Sequence, residues 1–137
     1  MKCIINTDFE NPQKDIIEIE SRDLWNLDHQ LAKVIQPCIA AFLEKHKSGG
    51  MSGHPFIHKK DLLKNVKVKP ENYNEDGAWC HESWIAILKE INWTFQAIKG
   101  EFDEDMMEFS MVQYNRHEKR IQKGLNLFAK YYRALWD

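Results

Sequence analysis

The chain has little of what would classify it quickly. It holds three cysteines in 137 residues, Cys3, Cys38 and Cys80. An odd number at wide spacing excludes a disulfide framework and points to a reducing compartment. Six histidines are present but no C-x-x-C or H-E-x-x-H, so no metal is expected. There is no G-x-S-x-G, and Ser48-Gly49-Gly50-Met51-Ser52-Gly53 lacks the Lys-Ser/Thr ending of a phosphate loop. No apolar run approaches the ~20 residues of a membrane span. The start, Met1-Lys-Cys-Ile-Ile-Asn-Thr-Asp8, turns acidic too soon for a signal peptide. The expectation is a soluble cytoplasmic protein with no membrane partner and no cofactor. Net charge is −2, so no global basic field favours wrapping of nucleic acid. There is no internal repeat and no low-complexity segment.

What is present is enough apolar material for one core. Hydrophobic residues make up 43% and aromatics 12% of the chain, which fits a single domain over residues 1–137. Residues 1–22 read as an extended arm, in which Asp15-Ile-Ile-Glu-Ile-Glu20 alternates enough to allow a short strand or β-hairpin. A first helix is expected from Asn26 or Asp28, both N-cap residue types, with Leu27, Leu31, Val34, Ile35, Cys38, Ile39, Phe42 and Leu43 as its apolar stripe. This places Cys38 in the core. Pro37 removes one backbone hydrogen bond and is expected to kink this helix. Ser48-Gly49-Gly50 stops it.

Residues 48–77 form a long connection, the kind of segment that is often functional. A second helix is expected from Trp79–Ser83 to Lys99, with Trp84, Leu88, Ile91, Phe95 and Ile98 on one face and Gly100 as its C-terminal stop. A third runs from about Glu104 to Trp136, with Ile121, Leu125, Phe128, Tyr132 and Leu135 at helical spacing. Gly124 either weakens it or admits another helix closely. The expected class is all-α, three main helices with a long C-terminal helix. A helix of ~30 residues spans ~45 Å, more than a compact domain of this size. Part of it is therefore expected to pack on a second copy, making a homo-oligomer.

Charge is distributed in blocks. Lys45 to Lys69 contains seven lysines and one acid, Glu71 to Glu108 ten acids and two lysines, and Arg116 to Arg133 six cations and one acid. Either the blocks neutralise one another over the surface, or the two basic ones converge on a bound phosphate.

Candidate chemistry follows from side-chain types. Glu101, Glu104, Asp105 and Glu108 resemble the acid-rich helix of all-α Mg-dependent nucleotide pyrophosphohydrolases, but Glu82 and Glu90 on the second helix are too far apart to form the required facing pair. An acidic first helical turn explains the cluster equally. Cys80 beside His81 lacks a visible orienting partner, and His54 and His58 read as solvated loop residues. No catalytic set emerges. Aromatics beside cations remain. Trp25 and Trp136 sit at helix ends, where a Trp is either a lid on the core or a stacking platform with nearby Lys or Arg for phosphate. Asp28 serves either as a cap or in reading a ligand.

Trp25-Asn-Leu-Asp28, Leu31-Ala-Lys-Val-Ile35 and Pro37, with Gly124-Leu-Asn-Leu-Phe-Ala-Lys-Tyr-Tyr-Arg-Ala-Leu-Trp136, resemble a group of small tailed-phage proteins. That group pairs W-x-L-D-x-x-L-A-x-x-I-x-P with G-L-x-L-F-x-K-Y-x-x-x-L-W. The match covers residues 25–37 and 124–136, while residues 46–80 depart from it in length and composition. The sequence is also similar to phage anti-defence sponge proteins that bind, without cleaving, cyclic-nucleotide immune signals. That resemblance implies an α-helical oligomer in the host bacterial cytoplasm, with ligand pockets at or near subunit contacts. By motif position it implicates Trp25, Asp28, Lys130, Tyr131 and Trp136 as ligand-binding residues. Two further readings stay open: a phage protein that binds a host or phage protein through its amphipathic C-terminal helix, and the Mg-dependent nucleotide hydrolase.

Overall fold

The computed structural model describes residues 1–100 and 110–136. The acidic residues Glu101, Glu104, Asp105 and Glu108 lie outside the described residues. The described chain is mostly helical. Three helices, α1 (Leu27–Lys47), α2 (His81–Ile98) and α3 (Met111–Tyr131), are joined by two short antiparallel strand pairs. These are β1 (Lys2–Ile4) with β2 (Ile16–Glu18), and β3 (Ile57–His58) with β4 (Gly77–Ala78). No helix among the described residues is long and apolar enough to cross a membrane.

The most apolar helix is the central one. α2 buries Trp84, Ile87, Leu88, Ile91 and Phe95, and it packs against both α1 and α3. Each such side chain contributes about 1.5–3 kcal/mol when withdrawn from water. α2 ends as its sequence indicates: Gly100 takes φ +89° and its N–H bonds the Ala97 carbonyl at 3.1 Å.

α1 is one continuous helix through Pro37, but it is rotated from its expected phase. Its buried face is Ala32, Gln36, Ile39, Leu43 and His46, whereas Leu27, Leu31, Val34 and Cys38 are exposed. Cys38 is therefore not a core residue. The reason is polar. Gln36 donates from Nε2 to Asn92 Oδ1 at 3.1 Å and accepts from Lys99 Nζ at 2.8 Å, tying α1 to α2. His29 Nδ1 donates to the Ile98 carbonyl at 3.2 Å, and His81 Nε2 to the His46 carbonyl at 3.2 Å. These bonds satisfy groups that would otherwise be buried at a cost of about 1–3 kcal/mol each, and they fix the helix rotation. Asn26, not Asp28, holds the N-cap position; Asp28 lies in the first turn.

α3 starts at Met111, whereas the acidic stretch before it points to about Glu104, which lies outside the described residues. Ser110 is extended (φ −63°, ψ 163°) and accepts from the Gln113 N–H, while Gln113 accepts from the Ser110 N–H. This reciprocal pair is a capping box, which begins a helix and does not sit inside one. A helix of 21 residues spans ~31 Å, so the length argument for a second copy does not hold. Gly124 resolves in favour of close approach: a Cβ there would overlap Thr94 Oγ1 on α2. Ile121, Leu125 and Phe128 are half-buried along a groove of about 690 Å³ shared with Leu31, Ile35 and Ile98.

The arm forms a hairpin, with Lys2 opposite Glu18 and Ile4 opposite Ile16. The 48–77 connection is anchored as well. Ile57 is fully buried, pairs with Ala78, and belongs to the main core. Short 3-10 turns follow at Lys59–Asp61 and Pro70–Asn72.

Candidate functional site

Two concave sites flank one clasp between the central connection and the end of α3. Strand alternation sends Ile57 inward and leaves its neighbours Phe56 and His58 less buried. Opposite them, Tyr131 in the last turn of α3 packs its ring edge-on against Trp84, with centroids 5.8 Å apart. Its hydroxyl accepts the His58 N–H at 3.2 Å and donates to Asp61 Oδ2 at 2.8 Å. Lys130 Nζ lies 2.7 Å from the same carboxylate oxygen. Burial pushes the Tyr131 hydroxyl well above the ordinary tyrosine range; its bond to Asp61 acts in the same direction and the His58 N–H acts against it.

The first site is a cleft of about 410 Å³ between the Gly53–His58 segment and the end of α3. Phe56, His58, Tyr131 and Trp136 supply rings, and Lys130 and Arg133 supply positive charge. The Phe56 ring meets those of His58 and Trp79 edge-on, at 5.8 and 5.1 Å. The Trp136 indole is open, at 69% exposure. His54 also lines the cleft, and its buried Nδ1 has no hydrogen-bond partner among the described residues. This histidine is not the solvated loop residue its Gly/Pro surroundings imply. Its ring lies 6.2 Å from that of His81, which is 5.7 Å from that of His46.

Lys130, Tyr131 and Trp136 are thus brought together as the sequence implies. Trp25 and Asp28 do not line this cleft. Trp25 stands at 83% exposure in the 3-10 segment Ser21–Asn26, and Asp28 borders the groove between α1 and α3. Neither tryptophan is a lid on the core. Tyr131 is a core residue rather than an outward ring, with its hydroxyl committed to the clasp. His54, Phe56 and His58 complete the cleft and lie in the segment that departs from the phage motif. Their only sequence signal was the four-residue spacing of the histidines in a Gly/Pro stretch.

The second site is a trough of about 920 Å³ between residues 60–66, α2 and α3. Lys60 and Lys64 from one basic block meet Lys119 and Lys123 from the other, joined by Lys89 of α2. Leu62, Leu63, Val66, Ile85 and Ala86 also line it. Arg120 is held elsewhere: it grips Glu90 through Nε at 2.7 Å and Nη2 at 3.1 Å, and lies over the Trp93 ring at 3.6 Å. Glu82 accepts from Cys80 Sγ at 3.0 Å, and that bond holds its carboxyl below the ordinary glutamate range. Cys80, then, has a partner in Glu82. Both α2 carboxylates have partners and border a lysine-rich surface, a poor setting for Mg²⁺ ligation. Among the described residues no three His, Cys, Asp or Glu side chains group closely enough to hold a metal ion.

Comparison with known proteins found no matching family model, no matching curated protein and no matching solved structure.

Proposed function

We propose that the protein binds a nucleotide-class ligand in the cleft at the end of α3. The observation that carries this reading is the combination found in one concavity: an open indole at Trp136, the Phe56 ring, the Arg133 guanidinium and the unpartnered Nδ1 of His54. A planar base stacks on an indole with about 1–3 kcal/mol per ring. A guanidinium offers two parallel donors to a phosphate. The imidazole nitrogen, which has no hydrogen-bond partner among the described residues, gains one on binding.

The resemblance to phage sponge proteins supports a narrower reading. The ligand is a cyclic-nucleotide immune signal of the bacterial host, which the protein sequesters without cleaving it. Asp61, the carboxylate beside the cleft, favours holding over turnover: Lys130 neutralises it and the Tyr131 hydroxyl bonds it, so it is not poised as a base. A second copy closing over exposed Trp136 would complete the enclosure in the manner the resemblance implies. Calorimetric titration with cyclic mono-, di- and trinucleotides and cyclic ADP-ribose isomers tests this. One of them binds in the micromolar range or tighter and is recovered intact, and Trp136→Ala or Arg133→Glu weakens it by about tenfold or more. Absence of binding below the millimolar range across the panel overturns the reading.

A second reading is a protein–protein contact through α3. The groove of about 690 Å³ between α1 and α3, with Leu27, Leu31 and Val34 exposed, favours it. Monomeric surfaces rarely leave contiguous apolar area open. Recovery of a single partner from host lysate, lost with Leu31→Asp, supports this alternative; equal recovery with the variant removes it. The Mg-dependent hydrolase reading relies on residues outside those described, and nucleotide left unchanged by protein and Mg²⁺ removes it.

A further inference from the structure

We infer that the lysine trough is a second anion site, distinct from the cleft, for a ligand carrying a chain of two or more phosphates on a flat or apolar body. Three observations lead there. The cations do not come from one solvated run: Lys60 and Lys64 lie on the central connection, Lys89 on α2, and Lys119 and Lys123 on α3. Only the tertiary fold gathers them. Among the described residues, none of the five forms an ion pair, although Arg22, Lys47, Arg120 and Lys130 each do. Of the two carboxylates that line the trough, Glu90 is neutralised by Arg120, and Glu82 keeps its charge while accepting from the Cys80 thiol.

Five like charges around one concavity on a chain of net charge −2 repel one another. The repulsion weighs against the fold, and a bound anion reverses it. The walls of such a trough focus the potential toward a ligand of opposite sign. Charge capacity separates the two sites. The cleft offers Arg133 and a Lys130 already paired with Asp61, enough for a single phosphate. The trough offers five lysines against Glu82 and an Arg120-paired Glu90, and the positive excess matches the three or four negative charges of a di- or triphosphate. Its apolar part, from Leu62, Val66 and Ile85, is of no use to bare phosphate but accepts a ring. A volume of about 920 Å³ accommodates a nucleoside with its phosphate chain.

Calorimetry of the full chain with tripolyphosphate, ATP and adenosine tests this. Tripolyphosphate and ATP both bind and adenosine does not. Tighter binding of ATP than of tripolyphosphate identifies a nucleoside polyphosphate as the ligand class, and equal binding a free oligophosphate. Lys119→Glu with Lys123→Glu weakens both by about tenfold or more, and Trp136→Ala leaves tripolyphosphate, which has no ring to stack, bound as before, so this outcome is independent of the cleft. Neither lysine forms an ion pair among the described residues, and a thermal midpoint at or above the parent's, as relief of the repulsion requires, verifies that the double variant is folded. Lys60→Glu with Lys64→Glu, on a different element, gives the same loss. Overturning results are tripolyphosphate affinity unaffected by both double variants, tripolyphosphate binding abolished by Trp136→Ala, or binding of an oligothymidylate but neither tripolyphosphate nor ATP.

Discussion

Thr94 of α2 and Gly124 of α3 meet so closely that a methyl group on Gly124 would overlap the threonine Oγ1 and Cβ. Thr94 cannot swing aside cheaply: it is fully buried and its hydroxyl donates to the Glu90 carbonyl at 2.8 Å. Gly124→Ala is therefore destabilising by about 1–3 kcal/mol, despite alanine being the better helix former. The thermal midpoint falls by several degrees in calorimetry, and Thr94→Ala in the same chain restores part of the loss. A single variant as stable as the parent contradicts the contact.

Tyr131→Phe removes a hydroxyl that bonds both Asp61 and the His58 N–H. Asp61 keeps Lys130, but the His58 N–H loses its acceptor at a cost of about 1–3 kcal/mol, read by urea denaturation near neutral pH. The same group sets a pH dependence. Its folded pKa is raised above the ordinary value of 10.0 by burial. Below pH about 10 the hydroxyl is protonated in both states and its contribution is complete. Above that the unfolded chain loses the proton first, so stability declines as pH rises. The decline is shallower in Tyr131→Phe.

Ser110 caps α3 through its side chain. Ser110→Ala lowers stability by about 0.5–2 kcal/mol, whereas Ser110→Asp, which retains an acceptor at the cap, loses far less. Chemical denaturation followed by circular dichroism distinguishes them.

Cys3 and Cys38 are exposed, and Cys80 is buried with its thiol on Glu82. A thiol reagent under native conditions labels the first two quickly and the third only on unfolding. Mass spectrometry of the time course reads the order directly. Rapid labelling of Cys80 would contradict its burial.

The sequence described α2 well because most of its buried side chains are apolar, Ser83 and Thr94 excepted, and Gly100 marks its end. It misphased α1 because both faces of that helix carry apolar residues. The face turned inward is chosen by Gln36, which finds Asn92 and Lys99 at distances of 56 and 63 residues along the chain. No local pattern reveals such partners. For α3 the signal was present: Ser110-Met-Val-Gln113 is a capping box, but the acidic residues before it drew the expected start to about Glu104. The pairing of β1 with β2 was legible only as alternation in the second strand.

The candidate site was legible in proportion to its locality. Lys130, Tyr131 and Trp136 lie within seven residues of one another and share the cleft. Trp25 and Asp28 were attached to them by motif alone, and the fold sends them elsewhere. The charge pattern left two readings open for the lysine blocks, neutralisation across the surface or convergence, and only the fold brings Lys60 and Lys64 beside Lys119 and Lys123.

The Arg120–Glu90 clamp has a consequence for selectivity. It withdraws the only guanidinium bordering the trough among the described residues and leaves ammonium groups. A guanidinium dictates the angle and plane of the oxygens it accepts, but an ammonium tolerates many directions. Such a surface grades anions by how much charge they bring rather than by how their oxygens are arranged. Discrimination between guests then falls to Leu62, Val66 and Ile85, through the shape of whatever the phosphates carry with them.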